Sequence, residues 1–415
     1  MKSLITRSVQ FVVAVLSLAY SACGATGQPE FVLVSSPDGT PSHITALSQS
    51  GNSAAGNVFV NTFSVYSRGF VWTRAQGRRD IAESAATYVF NVSGLDSQGS
   101  RIAGTHIQSR NGPYRAFRRD VNASENELLP LIPNYARGFG RGISGDGRAV
   151  VGYCERGPNT YWDAQAFIWR EGVGTIPLGF ARPGSILSDA RAISRDGSTV
   201  VGLTVDGTLK GEAFTWTESG GMRVLNGVPN ALYPDTFAQA VSADGRVTVG
   251  QGYLPSGLST VLMWRDESPE AISLGTLGLN NGIAPTDVSD DGSVAVGYAV
   301  FPSIEVPFVW TASTGMIALD SYLNQFGVTV PDGWTLSKCF AVSGDGLTFA
   351  GEATTSSGLI SGFVATIPAP GSLALLGGMA VVRRRRSTGV AASILRAACA
   401  PTISERGRST PRPRH

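Results

Sequence analysis

Few residues in this chain of 415 are of a kind that does chemistry, and their spacing decides how each is read. There are three histidines and four cysteines. His43 and His106 have no catalytic partner close by in the sequence, and no Gly-x-Ser-x-Gly elbow occurs. Cys23 and Cys399 sit near the two ends, which leaves Cys154 and Cys339, far apart along the chain and expected as buried free thiols. Gly140-Arg141-Gly142-Ile143-Ser144-Gly145 matches the dinucleotide fingerprint letter for letter but leads into a hairpin, so the helix dipole that would hold a pyrophosphate is missing. Asp287-Val288-Ser289-Asp290-Asp291-Gly292 is the most carboxylate-rich loop, yet its twelfth position is Tyr298, where a calcium hand needs a bidentate Glu. Ser144, Ser194, Ser242, Ser289 and Ser343 recur at one frame position; a nucleophile is needed once, so these read as hydroxyls bonding the local backbone. No catalytic residue, metal site or cofactor is assigned. Four residues remain as candidate ligand contacts. Arg141 and Arg191 hold equivalent places in successive repeats, at the start of strands expected to be innermost, where they can face a channel and bind an anionic group such as that of an acidic polysaccharide. Tyr161 and Trp162 lie in a loop outside the repeat frame, where packing in the core or at the rim is the leading reading and an exposed aromatic contact to a ligand the alternative.

The elements that must position these residues come from a repeat. Hairpin glycines occur at Gly51, Gly99, Gly147, Gly197, Gly245, Gly292 and Gly346, separated by 48, 48, 50, 48, 47 and 54 residues. A second glycine follows each by five positions, from Gly56 to Gly351, and an aliphatic residue precedes each by four. The last five hairpin glycines follow Asp, giving a dipeptide suited to a tight turn between two β-branched runs, as in Ile193 to Gly202. A third strand carries Phe and Trp two apart, as in Ala166-Phe167-Ile168-Trp169, so that both lie on one face. Fourth strands such as Gly221–Leu225 follow. Four strands in about 48 residues match one propeller blade, so the expected fold is an all-β, seven-bladed β-propeller over residues 30–367. The seventh repeat stops after its third strand at Ile367, and Phe31–Val34 is expected to supply the missing outer strand and close the ring. The long last spacing reflects an insertion between Asp320 and Lys338, with one or two helical turns expected over Ser321–Phe326 before Gly327.

The ends have a different character. Residues 1–25 read as a signal peptide, with Lys2 and Arg7 ahead of an apolar run from Phe11 to Ala19 and cleavage expected at about Ala25. Residues 368–386 hold Pro368-Ala369-Pro370, an apolar run and Arg383-Arg384-Arg385-Arg386, and residues 387–415 form a basic tail expected to be disordered. Two of the 33 basic residues precede residue 26 and nine follow Pro368, where Glu405 is the one acid, so the body between carries a net charge of −8. An acidic body repels phosphate backbones, and nucleic acid is not an expected partner.

Two resemblances follow. The Ser-x-Asp-Gly-x-x-Val-Val-Gly hairpin with its Ala-Phe-x-Trp strand resembles the HAF repeat of bacterial extracellular proteins, across residues 31–367. Gly333-Trp334-Thr335-Leu336 ahead of Ala341-Val342-Ser343-Gly344-Asp345-Gly346 is similar to the last repeat of such proteins. That family implies export and a propeller-like fold and brings no established activity, so no functional residues are carried over. Pro368–Arg386 resembles the PEP-CTERM sorting signal, with Ala369 in place of the usual Glu and with chain continuing beyond Arg386. The resemblance implies processing by an exosortase-type enzyme after signal peptidase, with the membrane met only transiently during export.

The function expected is that of a non-catalytic binding or scaffold module of the cell surface or extracellular matrix, with a polysaccharide or envelope partner. Two alternatives come from other classes. One is a polysaccharide lyase or glycoside hydrolase, which predicts a cluster of Arg, Tyr, His or carboxylates at the channel mouth that departs from the repeat frame. The other is a self-associating surface-layer component.

Overall fold

Seven antiparallel four-stranded sheets follow one another around a ring, the seven-bladed β-propeller expected from the repeat. The structure, a computed structural model, describes residues 29–59, 67–81, 89–107, 112–157, 161–266 and 268–369. The expectations placed on Ala25, Pro370 and Arg383 to Arg386 lie outside these residues, while Pro368 is buried and Ala369 half-buried at the end of the described chain. The innermost strands are Ser42–Leu47, Val89–Leu95, Arg137–Ile143, Ser185–Ile193, Phe237–Val241, Gly282–Val288 and Trp334–Val342. Blade seven takes its outer strand from the other end of the chain: Glu30–Val34 pairs with Ile360–Thr366, with Glu30 opposite Thr366 and Val34 opposite Gly362.

The hairpins explain the first glycine of each repeat. All seven turn glycines have φ between +68° and +76°, which a side chain would strain. The preceding serine completes the turn. Ser194 Oγ donates to Asp196 Oδ1 and accepts from the Thr199 amide at 2.9 Å, and Ser144, Ser242, Ser289 and Ser343 do the same in their blades. The recurring serines are turn hydroxyls.

The second glycine has another cause. Each innermost strand carries an extra residue, a β-bulge, at Thr45, Ser93, Arg141, Arg191, Gln239, Thr286 and Phe340, and the strands of blades four and seven have a second one at Ile186 and Ser337. The glycine pairs with the residue just before the bulge common to all seven, and there the backbone closes in. A Cβ at Gly202 would stand 2.0 Å from the Asp189 carbonyl oxygen, and one at Gly152 would stand 1.8 Å from that of Phe139. Only glycine fits.

Blades adhere through the third strands. Phe70, Phe117, Phe167, Phe214, Phe308 and Phe363 are fully buried, each contributing roughly 1.5–3 kcal/mol by removal from water. Phe214 and Trp216 of blade four, for example, pack on Val151 and Ile168 of blade three. Blade two departs from the pattern, carrying Arg118 and Arg119 where others have the aromatic pair's second half. The buried Arg118 guanidinium lies 4.7 Å from the Trp169 ring centre of blade three and pairs with Glu127 and Glu171. In the insertion the helix spans Leu319–Gln325, two residues earlier than expected. It buries Leu319, Tyr322 and Leu323 and stops before Gly327 at φ +76°. Cys154 and Cys339 are buried free thiols, and burial pushes the Cys154 thiol up to about 11.

Candidate functional site

The bulges turn one residue per blade toward the axis of the ring. Six positions before each turn glycine, the residues Thr45, Ser93, Arg141, Arg191, Gln239, Thr286 and Phe340 line a central cavity of about 180 Å³. Sequence reasoning placed Arg141 and Arg191 at the start of their strands. They lie instead near the ends, at the bulges, because the extra residue is what swings them out of the sheet. Three of the seven are spent on structure: Thr45, Ser93 and Thr286 donate to the carbonyls of Val92, Gly140 and Cys339 on the next blade, at 2.8–2.9 Å. Arg141, Arg191, Gln239 and Phe340 have side chains of other kinds.

One end of the cavity is sealed. Two positions before the turn glycines, amides and carbonyls of successive blades form a closed circle of backbone hydrogen bonds at 2.8–3.2 Å. It runs from Gln49 through Ser97, Gly145, Arg195, Ala243, Asp290 and Gly344 back to Gln49, with the Asp196 amide replacing that of Arg195 at one step. Side chains fill its centre. Arg195 of blade four reaches Asp290 of blade six and, at 3.2 Å, Ser97 of blade two, while Gln49 of blade one donates to Asp290 at 2.7 Å. Asp290, prominent in the carboxylate-rich loop, is therefore occupied by Arg195 and Gln49. Asp287 sits above this floor, where most blades have Ala or Gly. Burial raises its carboxyl to about 6, against the opposing pull of the Val342 and Val288 amides that it accepts.

The other end is open and built from residues that differ between blades. Asp189 is fully buried two residues before Arg191, on the same strand. Its Oδ2 lies 3.6 Å from Arg191 Nε and 3.7 Å from Arg141 Nη2 on the neighbouring blade, and it accepts a hydrogen bond from the Tyr161 hydroxyl at 3.1 Å. Its Oδ1 is buried and has no hydrogen-bond partner among the described residues. The Arg141 guanidinium lies 5.2 Å from the Tyr153 ring centre, and Tyr153 packs edge-on against Tyr161 and stacks on Phe139. Burial, with the Asp189 charge beside it, pushes the Tyr161 phenol up to about 12, so it stays a hydrogen-bond donor at any working pH. Tyr161 and Trp162 share one 3₁₀ turn, Tyr161–Asp163, but part in their roles. Tyr161 is half-buried in this cluster, while Trp162 is 57% exposed and so is not a core residue.

The structure thus brings Arg141, Arg191 and Tyr161 together and sets Trp162 beside them, 6.2 Å from Tyr161 between ring centres. Asp189 escaped sequence reasoning. The signal was present: counted back eight positions from the turn glycines, the frame reads His43, Asn91, Phe139, Asp189, Phe237, Ala284 and Lys338, a position the fold leaves free to vary. On the far side of the mouth, Lys338 pairs with Glu305 at 2.9 Å and lies 3.8 Å from Glu352. There His43 packs on Phe59 and Phe340, and burial first and Lys338 second hold its imidazole down at about 4.

No family model matches the chain, and no curated protein matches it. Solved structures do. Oligogalacturonate lyase from Vibrio parahaemolyticus superposes with a TM-score of 0.52 at 11% identity, over 83% of this chain and 99% of that one. The β-propeller domain of the Trilobed protease from Pyrococcus furiosus gives 0.49 at 10% identity, over 78% and 95%. TolB from Acinetobacter baumannii gives 0.38 at 15% identity, and this chain spans 56% of its length. The likeness is one of fold.

Proposed function

We propose that this propeller is an exported binding module of the cell surface or extracellular matrix that takes a polysaccharide or envelope polymer at the open mouth of its channel. The observation that supports the reading is the asymmetry of the ring. The floor is closed by backbone bonds and by side chains already paired, whereas the mouth presents the partly exposed guanidiniums of Arg141 and Arg191 around Asp189, with the exposed ring of Trp162 on the turn that carries Tyr161. The signal-peptide reading of residues 1–25 and the likeness of Pro368–Arg386 to a sorting signal support delivery to that compartment. Binding of the full-length protein to an array of envelope and matrix polysaccharides tests the proposal. Retention on at least one polymer, reduced by Trp162→Ala, is expected; indifference to every polymer and to the substitution would defeat it.

One observation favours the lyase alternative: the mouth holds an off-frame cluster of arginines, tyrosines and a carboxylate. A lyase needs a base for the proton next to a uronate carboxyl, and a phenol held up at about 12 is poorly suited to that task. Incubation with uronate polymers separates the two readings, since elimination leaves an unsaturated sugar that absorbs in the ultraviolet. Binding without that absorbance is the expected result.

A further inference from the structure

We infer that the mouth is a receptor for the carboxylate of a hexuronic acid residue, clamped between Arg141 and Arg191, with Asp189 as the residue that positions both arginines. This rests on the binding-module reading and names the ligand class for the same site.

The argument begins with Asp189. The fold does not require a carboxylate there, since the equivalent places in other blades hold His, Asn, Phe, Ala and Lys. Burying a carboxylate oxygen without a partner is costly. A residue kept only for packing has no reason to carry that penalty. What Asp189 does is hold two guanidiniums from adjacent blades over one point. Neither is within hydrogen-bond distance of it, at 3.6 and 3.7 Å, so the attraction orients the arginines without consuming their donors. Arg191 has no hydrogen bond to any described residue, and its side chain and that of Arg141 are 23% and 44% exposed at the cavity. Around Asp189 two positive charges stand against one negative, a local surplus of one positive charge.

That geometry selects among anions. A planar monoanion balances the surplus charge and can take parallel donors from both forks, as carboxylates do. A phosphate dianion would leave a net negative charge beside the buried Asp189. The aromatic neighbour adds the second criterion. Trp162 offers an exposed ring on the same turn as Tyr161, whose hydroxyl bonds Asp189, a surface suited to the apolar face of a pyranose and of no use to a free carboxylate or inorganic anion. Carboxylate and pyranose together define a uronic acid.

The test uses the full-length protein, with uronate oligosaccharides, the same oligosaccharides reduced at the carboxyl to neutral sugars, sulfated glycans, and inorganic phosphate as probes in calorimetric titration. Uronate oligomers are expected to bind and their reduced forms to lose most affinity, with phosphate unable to compete. Arg141→Ala and Arg191→Ala should each weaken uronate binding about thirtyfold, the equivalent of one charge-assisted hydrogen-bond pair, with each variant still folded at the temperature of the titration. Lys at both positions should restore part of it, since charge returns without the fork. Asp189→Asn separates positioning from scaffolding: it should weaken uronate binding while improving binding of phosphate and sulfated glycans, a change in preference that simple loosening would not give. Equal binding of acidic and reduced oligomers, or wild-type affinity in the double Arg→Ala variant, would overturn the inference. If the protein bound sulfated or neutral envelope glycans but no uronate, the inference would fail while the binding-module reading stood; if no glycan bound, both would fall.

Discussion

The two ends of the innermost strands differ in kind. At the turn end every blade uses an αL glycine and a backbone bond to the next blade, five of the seven add a serine–aspartate turn, and the chain closes on itself. At the mouth end the residues change from blade to blade, the paired Arg141 and Arg191 apart, and residues costly to bury stand there. Both ends are served by one bulge. The same extra residue that forces a glycine onto the second strand also delivers a side chain to the axis, so scaffold and site are two consequences of one local irregularity.

Substitutions graded over the hairpins of blades four and five can break this comparison. Gly202→Ala is expected to have the largest effect, since its Cβ would meet the Asp189 carbonyl at 2.0 Å; a loss above about 4 kcal/mol, or failure to accumulate as folded protein, should appear in chemical denaturation. Gly245→Ala comes next, at about 3 kcal/mol, because positive φ is compounded by Thr199 Oγ1 at 2.2 Å. Gly197→Ala suffers the φ term with its nearest neighbour at 3.6 Å, so about 1 kcal/mol is expected there. Two arginines four residues apart then separate floor from mouth. Arg195→Ala breaks the cross-channel pair with the partly buried Asp290 and should cost about 1–3 kcal/mol, whereas Arg191→Ala removes one of the two charges that face the buried Asp189, should cost about 1 kcal/mol, and shows its larger effect in binding.

Acidity sharpens the same contrast with smaller effects. Asp287 has its carboxyl raised to about 6 from 3.8, so its ionised form costs stability above pH 6, and protonation on acidification returns that stability, in full below pH 3.8. His43 runs the other way: held at about 4 against 6.5, it supports the fold above pH 6.5 and loses that support as pH falls through 4. Asp287→Asn removes the first effect and leaves the second. Its thermal midpoint should therefore fall more between pH 7 and 4 than that of the unaltered protein.

The ring was legible in the sequence because glycines, aspartates and Phe–Trp pairs are chemically distinctive and recur at one spacing. Even the closing strand could be read, from a blade that stopped one strand short. The bulge was not, because it has no residue type of its own: Thr, Ser, Arg, Gln and Phe all occupy it, and an extra residue present in every repeat leaves no mark on the spacing. With the bulge unseen, the invariant second glycine had no cause and Arg141 and Arg191 were set at the wrong end of their strands. Asp189 stayed hidden for a related reason, since its partners Tyr161 and Arg141 approach across 28 and 48 residues of chain. Trp162 was visible as an irregularity, though its exposure needed the fold.

The closure of blade seven has a mechanical side. Glu30 lies opposite Thr366, so the chain enters and leaves the ring at one point on its rim. A pull on the chain beyond Pro368 acts along the Ile360–Thr366 strand, which is bonded to Thr348–Thr355 on one side and to Glu30–Val34 on the other. Two ladders then bear the load in shear, their bonds strained together instead of opening one at a time, and a ring held by its tail in a flow would resist being drawn out as thread.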